Sequence, residues 1–201
     1  MHTPTFWQCA VLTFFVYGSF IAIQSTWGGP YLMDLRGFSA LTTGNILLGF
    51  AIGRVVAPLL YGSLSDRLLK TRKWLIIPTV VCYAGTFLWL TGLIPIASPV
   101  ATGVLFFSIA FFGATIILLY AQIKEIFPPQ LSGLVTTSLN FFTMIGGAVV
   151  TQLIGYIVQQ YPQQDGTHPP EAYHAAFGVC LVSILVALVF YTFSKEARSH
   201  E

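Results

Sequence analysis

The segment GFAIGRVVAPLLYGSLSDRLLKTRK, from Gly49 to Lys73, joins a long apolar run to a short charged one. Small residues recur at every fourth position from Gly49 to Ala57, a spacing that lets membrane helices pack closely. The apolar part contains a single cation, Arg54, and the first acidic residue, Asp66, follows its end. This order predicts a membrane-spanning helix that ends in a polar loop.

The composition of the whole chain extends this prediction. Of its 201 residues, 55% are hydrophobic and 8% are charged, whereas about a quarter of the residues in an ordinary soluble domain are charged. Apolar runs of about 18 residues or more predict spanning helices, because every backbone amide in lipid must be bonded within its own segment. Such runs lie at residues 8–33, 42–64, 74–95, 98–123, 131–158 and 172–194. Barrel strands would be shorter and would alternate in polarity. We therefore predict an all-α integral membrane protein, residues 1–201 forming a single bundle of six transmembrane helices.

The distribution of lysine and arginine predicts the orientation of this bundle. With six spans, both termini and the second and fourth loops lie on one side, together with Arg67, Lys70, Arg72, Lys73, Lys124, Lys195 and Arg198. The other side holds only Arg36. This asymmetry predicts a multi-pass protein of the cell membrane with both termini in the cytoplasm. The net charge of +2 reflects this topology and gives no indication of nucleic-acid binding.

The sequence contains no pattern of residues that is typical of a catalytic or cofactor-binding site. Cys9, Cys82 and Cys180 lie in three different predicted helices without ligand-like spacing, so we expect no metal site and no cofactor. No predicted span pairs a nucleophile with a base or presents two carboxylates. We therefore do not expect an enzyme.

Arg54 is the residue that most requires an explanation. At 1.5 Å per residue it lies roughly 18 Å from each end of its predicted span, near the middle of the bilayer. A cation at that depth costs about 2.5 to 3.5 kcal/mol on insertion scales. Pro58 cannot donate an amide to the carbonyl of Arg54, and we predict a hinge there. Two interpretations of Arg54 stay open: it binds an anionic substrate such as a carboxylate, phosphate or nitrate, or it braces its helix against a neighbouring helix or a partner chain.

Further polar residues in the spans indicate which helix faces line a cavity. Tyr17, Gln24 and Tyr31 share one face of the first helix, and Asn140 lies on a polar face of the fifth. We predict that these four residues bind substrate together with Arg54. The alternative is hydrogen bonding between helices, which is the usual role of such side chains. The fourth helix adds polar residues at Ser108, Thr115, Tyr120 and Gln122, whereas the third and sixth helices resemble outer supports.

Glycine spacing hints at an internal repeat. Gly53 and Gly62 lie nine positions apart, as do Gly146 and Gly155, and the second pair follows the first at an offset of 93. This offset suggests two units of three helices each. Because three is odd, the second unit enters the membrane from the opposite side, so the repeat is inverted, as in many secondary transporters.

The loop GSLSDRLLKTRK resembles the G-x-L-S/A-D-R-x-G-R-R/K loop of the major facilitator superfamily. The matching positions are Gly62, Leu64, Ser65, Asp66, Arg67, Arg72 and Lys73. Leu69 stands where the family usually has glycine, and one extra residue precedes the final basic pair. The stretch WGGPYL, at the end of the first predicted helix, is similar to the seventh helix of many members. The chain therefore resembles a C-terminal six-helix half.

The resemblance implies half of a major facilitator fold, built as a 3+3 inverted repeat. In the family, the matching loop gates alternating access, so the implied gating residues are Gly62, Asp66, Arg67, Arg72 and Lys73. The first and fourth helices of each half line the cavity, the second and fifth meet the other half, and the third and sixth face lipid. The implied partners are membrane lipid, a small solute and a second six-helix half, which is either a copy of this chain or a separate N-terminal half.

The function that we expect is that of half a secondary transporter, with an anion as the favoured solute because of Arg54. A non-transporting assembly partner or a truncated transporter remnant is the alternative from another class. Within the class, the aromatic content of the chain favours a drug efflux carrier, whereas Arg54 disfavours it.

Overall fold

The computed structural model describes residues 4–65, 71–95, 98–163 and 166–195. These residues contain six helices long and apolar enough to cross a membrane, and no β-strand. The helices are α1 (Pro4–Leu35), α2 (Ala40–Ser63), α3 (Lys73–Leu90), α4 (Pro99–Ile126), α5 (Pro129–Gln159) and α6 (Pro170–Thr192). The predicted all-helical, six-span architecture is confirmed.

The helix ends follow local chemistry. Ser39 and Ser98 are N-caps, whose hydroxyls accept from the backbone amides of Thr42 at 3.2 Å and Ala101 at 3.1 Å. The third helix ends at Leu90, before the predicted end at Pro95. Gly92 there adopts a left-handed conformation with φ of 76°, which stops a helix as a C-terminal glycine does.

α1 and α4 depart from regular α geometry within their length. α1 contains two π-helical turns, Ile23–Trp27 and Tyr31–Leu35, joined by the short α-helical segment Gly28–Pro30. α4 consists of two α-helical segments, Pro99–Gly113 and Ile116–Ile126, separated by a turn. A π turn holds an extra residue, so it rotates the side chains that follow it relative to those before. Apolar periodicity alone does not reveal such turns.

The helix contacts have the symmetry of two inverted three-helix units. In such a repeat α1 is equivalent to α4, and α2 is equivalent to α5. α1 packs most extensively against α5, and α4 packs most extensively against α2. α3 and α6, which are equivalent to each other, are in mutual contact. The architecture is therefore a 3+3 inverted repeat.

The repeat is visible at the two main helix crossings. A Cβ placed on Gly53 of α2 would lie 2.5 Å from the carbonyl oxygen of Phe107 of α4. A Cβ on Gly146 of α5 would likewise collide with the carbonyl oxygen of Phe14 of α1. Gly146 follows Gly53 by 93 positions, and Phe107 follows Phe14 by the same number. The glycine offset in the sequence thus corresponds to two equivalent close approaches of helix backbones.

The second glycines of the two pairs are not equivalent in packing. A Cβ on Gly155 would lie 3.2 Å from the ring of Trp27, whereas a Cβ on Gly62 would meet nothing within 4 Å. The repeat therefore holds at the crossings and is lost toward the ends of α2 and α5.

Candidate functional site

A cavity of about 260 Å³ opens between α1, α2, α4 and α5. Its lining residues are Tyr17, Phe20, Arg54, Pro58, Gly113, Ala114, Ile116, Ile117, Tyr120, Asn140, Thr143 and Met144. None of these residues belongs to α3 or α6, which is consistent with their expected role as outer supports.

Arg54 lines this cavity from α2 with its side chain exposed. Its Nη1 donates to Oε1 of Gln24 on α1 at 2.6 Å. Its Cζ lies 5.5 Å from the centre of the Phe20 ring, within cation–π range. Among the described residues no carboxylate forms an ion pair with it. A guanidinium has five N–H donors, so the contact with Gln24 leaves most of its hydrogen-bonding capacity for other partners.

The Arg54–Gln24 bond is also a brace between α2 and α1. Both interpretations drawn from the sequence therefore have a structural counterpart. The brace uses a neutral amide oxygen and the face of an aromatic ring, which compensate a cation less fully than a carboxylate does.

Tyr17 and Asn140, two more of the predicted binding residues, reach the same cavity. The Tyr17 ring stacks on Phe20, with centroids 5.8 Å apart. Asn140 accepts a hydrogen bond from the Tyr120 hydroxyl at 3.0 Å, and the same hydroxyl lies 3.1 Å from Oγ1 of Thr143. Tyr120 thus connects α4 to α5 at the cavity wall.

Tyr31 lies away from the cavity, although the sequence grouped it with Tyr17 and Gln24. It is 4% exposed and packs against Phe106, Tyr173 and Phe177. The π turn at Ile23–Trp27 separates Tyr31 from Tyr17. That turn changes the helical phase, so residues that share a face on a regular helix diverge here.

The break in α4 has a similar consequence for its polar residues. Ser108 opens onto an apolar groove between α3 and α4, and Thr115 is fully buried. Gln122 is also fully buried, and it accepts from the Tyr191 hydroxyl at 2.6 Å. Of these polar residues of α4, Tyr120 is the one that lines the cavity. The sequence marked it only as a polar residue near the end of the fourth span.

Pro58 also lines the cavity, one helical turn beyond Arg54. α2 continues through it as far as Ser63. The hinge at Pro58 stays a prediction.

The gating loop is only partly described. Asp66, Arg67 and Lys70 lie outside the described residues, and Gly62 lies near the end of α2. Arg72 donates through Nε and Nη2 to Oε1 of Glu125 on α4, at 3.0 and 2.8 Å, and through Nη1 to the hydroxyl of Ser65. Arg72 therefore ties the end of α2 to the end of α4.

Lys73 binds the end of a different helix. Its Nζ donates to the carbonyl oxygens of Thr192 and Ser194, each at 2.7 Å. These carbonyls belong to the C-terminal end of α6, where helical carbonyls lack partners and carry partial negative charge. Arg72 and Lys73 thus join three helix ends at the end of the bundle that carries both termini.

This arrangement defines a class of protein: a multi-pass membrane bundle of two inverted three-helix units around a polar cavity. The model of the Major Facilitator Superfamily matches residues 9–201, and the chain belongs to that family. It is 25% identical to the glycerol-3-phosphate transporter of Bacillus subtilis (strain 168), over 92% of this chain and 39% of that protein.

The comparison with solved structures agrees on the fold. The chain superposes with a TM-score of 0.72 on the inward-open conformation of the xylose transporter XylE from E. coli, at 18% identity. The match covers 94% of this chain and 47% of XylE. The chain therefore spans less than half the length of each of these relatives.

Proposed function

We propose that this chain is one half of a secondary transporter that moves a small anionic solute across the cell membrane by alternating access. The observation that carries the proposal is Arg54, a cation that lines a membrane-level cavity without a carboxylate partner among the described residues. A guanidinium at that depth is costly unless it is compensated. An anion in the cavity supplies the missing charge.

The chemistry of the lining suits a small anion with an apolar part. Arg54 supplies charge and donors, Phe20 and Tyr17 supply an aromatic wall, and Asn140 supplies a carboxamide on the far helix. The relative from Bacillus subtilis is a glycerol-3-phosphate transporter, and the oxygens of a phosphate group match guanidinium geometry. This agreement supports a phosphate-bearing or carboxylate-bearing solute. Tyr31 is left out of the proposed site because it packs in the core.

Alternating access requires a second bundle, since the binding site of such transporters lies between two opposed halves. α2 and α5 line the cavity and also expose apolar side chains such as Ile52 and Phe141. We infer that this face meets a second six-helix half, either a copy of this chain or a different one. The excess of Lys and Arg on the side of the termini supports a cytoplasmic location for Arg72, Lys73 and the gating loop.

Uptake into proteoliposomes tests the proposal. Labelled glycerol 3-phosphate and inorganic phosphate are compared with the neutral solutes glycerol and xylose, for wild type, Arg54→Ala and Arg36→Ala. Arg36 is a matched control, because it lies outside the cavity with its Cζ 6.0 Å from the ring of Phe38. We expect anion uptake to exceed neutral uptake and to fall about a hundredfold in Arg54→Ala alone, as when one partner of a buried charge pair is removed.

Two results would contradict the proposal. Equal anion uptake by wild type and Arg54→Ala would exclude the anion site at Arg54. Absence of uptake of every solute by material that contains two bundles would exclude transport and favour an assembly partner or a remnant.

A further inference from the structure

The side chain that contacts Arg54 comes from an irregular part of α1. Gln24 lies in the π turn Ile23–Trp27, which is followed by Gly28, whose backbone N–H donates to the carbonyl of Ile23. Turns with this i→i+5 pattern are rare in proteins, and those that occur often lie at functional sites. In α1 the turn brings the carboxamide oxygen of Gln24 to 2.6 Å from Nη1 of Arg54.

Gly28 makes this turn possible. A Cβ at that position would lie 2.5 Å from the carbonyl oxygen of Ile23, a backbone atom that cannot move without changing the turn. The next residue, Gly29, would place a Cβ in open space. An added side chain would therefore clash at Gly28 but not at Gly29, so of the two glycines the π turn that holds Gln24 requires Gly28.

The oxygen of Gln24 occupies Nη1, which supplies part of the donor fork of the guanidinium. A carboxamide oxygen and a carboxylate or phosphate oxygen accept the same N–H bond, and the neutral one binds more weakly. Gln24 and the ring of Phe20 are the described partners of the guanidinium. An anion that binds through both Nη atoms of the guanidinium competes with Gln24 for Nη1.

We propose that Gln24 is an internal stand-in for the transported anion, and that displacing it sets the affinity of the site. This inference rests on the proposed function of Arg54. The bond to Gln24 lowers the cost of the cation when the cavity is empty. It also lowers the apparent affinity for the anion, because only the fraction of molecules with Nη1 released is competent to bind. A carrier benefits from both effects, since it must return empty and must release its solute.

Equilibrium binding to the purified chain in lipid nanodiscs tests this proposal, with radiolabelled glycerol 3-phosphate and inorganic phosphate as the probes. Gln24→Ala removes the competitor, so we expect the Kd to fall about threefold to tenfold, the factor that corresponds to the net contribution of one hydrogen bond. Gln24→Glu puts a carboxylate beside Arg54, so we expect the Kd to rise by at least about tenfold. A residue that merely stabilised the fold would not bind the anion more tightly when it is truncated.

The adjacent glycines supply a matched pair of variants. Gly28→Ala disturbs the π turn and is expected to change the Kd in the same direction as Gln24→Ala. Gly29→Ala is expected to leave the Kd at the wild-type value. If Gly28→Ala does not fold, the Gln24 variants still decide the question.

The outcomes separate this inference from the proposed function. If Arg54→Ala abolishes binding but Gln24→Ala weakens it or leaves it unchanged, Gln24 is not a stand-in and the anion site at Arg54 stands. If wild type does not bind either probe, or binds no better than Arg54→Ala, both proposals fail. A Kd that falls for Gln24→Ala and Gly28→Ala but not for Gly29→Ala supports the stand-in.

Discussion

Gln122 joins three helices at the end of the bundle that carries the termini. Its Oε1 accepts from the Tyr191 hydroxyl of α6 at 2.6 Å and lies 3.8 Å from the Cys9 thiol of α1. Its Nε2 donates to the carbonyl of Lys195 at 3.2 Å. A fully buried carboxamide with this many partners fixes the relative positions of α1, α4 and α6.

We predict that Gln122→Leu lowers the free energy of unfolding by about 1 to 3 kcal/mol, because buried polar partners lose their bonds to the carboxamide. Denaturant titration in detergent measures the change. Gln160→Leu is the matched control, since the exposed Gln160 side chain donates to the carbonyl of Tyr156 at the end of α5 and, within the described part of the chain, to no other helix. An equal effect in both variants would contradict the structural role of Gln122.

Arg72 and Glu125 form an ion pair whose side chains are 18% and 32% exposed. Pairs with this degree of exposure contribute up to about 1 kcal/mol and weaken as salt rises. We predict that Glu125→Gln lowers the thermal unfolding midpoint at low salt and that the difference shrinks in 1 M salt. Lys124→Gln, on the exposed side of the same turn, is expected to have little effect. A deficit in Glu125→Gln that does not depend on salt would indicate a cause other than the ion pair.

At the scale of helices, glycines set the distance between the most closely packed pairs. Gly53 lies against the backbone of α4 and Gly146 against that of α1. We predict that Gly53→Ala and Gly146→Ala each destabilise the bundle by about 1 to 3 kcal/mol, because the added methyl group meets a backbone carbonyl that must shift.

Gly44→Ala on α2 and Gly133→Ala on α5 are the controls, since a Cβ at either position meets nothing within 4 Å. They are expected to be neutral or slightly stabilising, because alanine favours helix more than glycine does. Equal destabilisation by all four variants, measured by the same unfolding titration, would argue against the close crossings.

The sequence predicts the helices well, because the cost of an unpaired backbone amide in lipid excludes irregular structure in long apolar segments. Apolar runs alone identify the six helices. The residues that line the cavity are harder to predict, because π turns and breaks rotate the side chains of a helix relative to a regular α-helix. The π turn at Ile23–Trp27 moves Tyr31 into the core and brings Gln24 to Arg54, and the break after Gly113 brings Tyr120 to the cavity.

At the scale of the molecule, Arg54 lies in a cavity lined by α1, α2, α4 and α5, and the chain spans less than half of the Bacillus subtilis relative and of XylE. The proposed function assigns the other side of the cavity to a second bundle. We predict that functional material has the protein mass of two six-helix bundles, measured by light scattering with correction for detergent. Solute flux by a preparation that contains only one bundle per particle would contradict this prediction.

The proposed function requires that a positive charge at position 54, accessible to water, binds the transported anion. Arg54→Cys, in a Cys82→Ser background that removes the one exposed cysteine among the described residues, is treated with two thiol reagents in proteoliposomes. Aminoethyl methanethiosulfonate adds an ammonium group, and methyl methanethiosulfonate adds a neutral group. We predict that anion uptake is lost in Arg54→Cys and partly restored by the ammonium adduct only. A cysteine that neither reagent modifies, or equal recovery with both adducts, would contradict the claim.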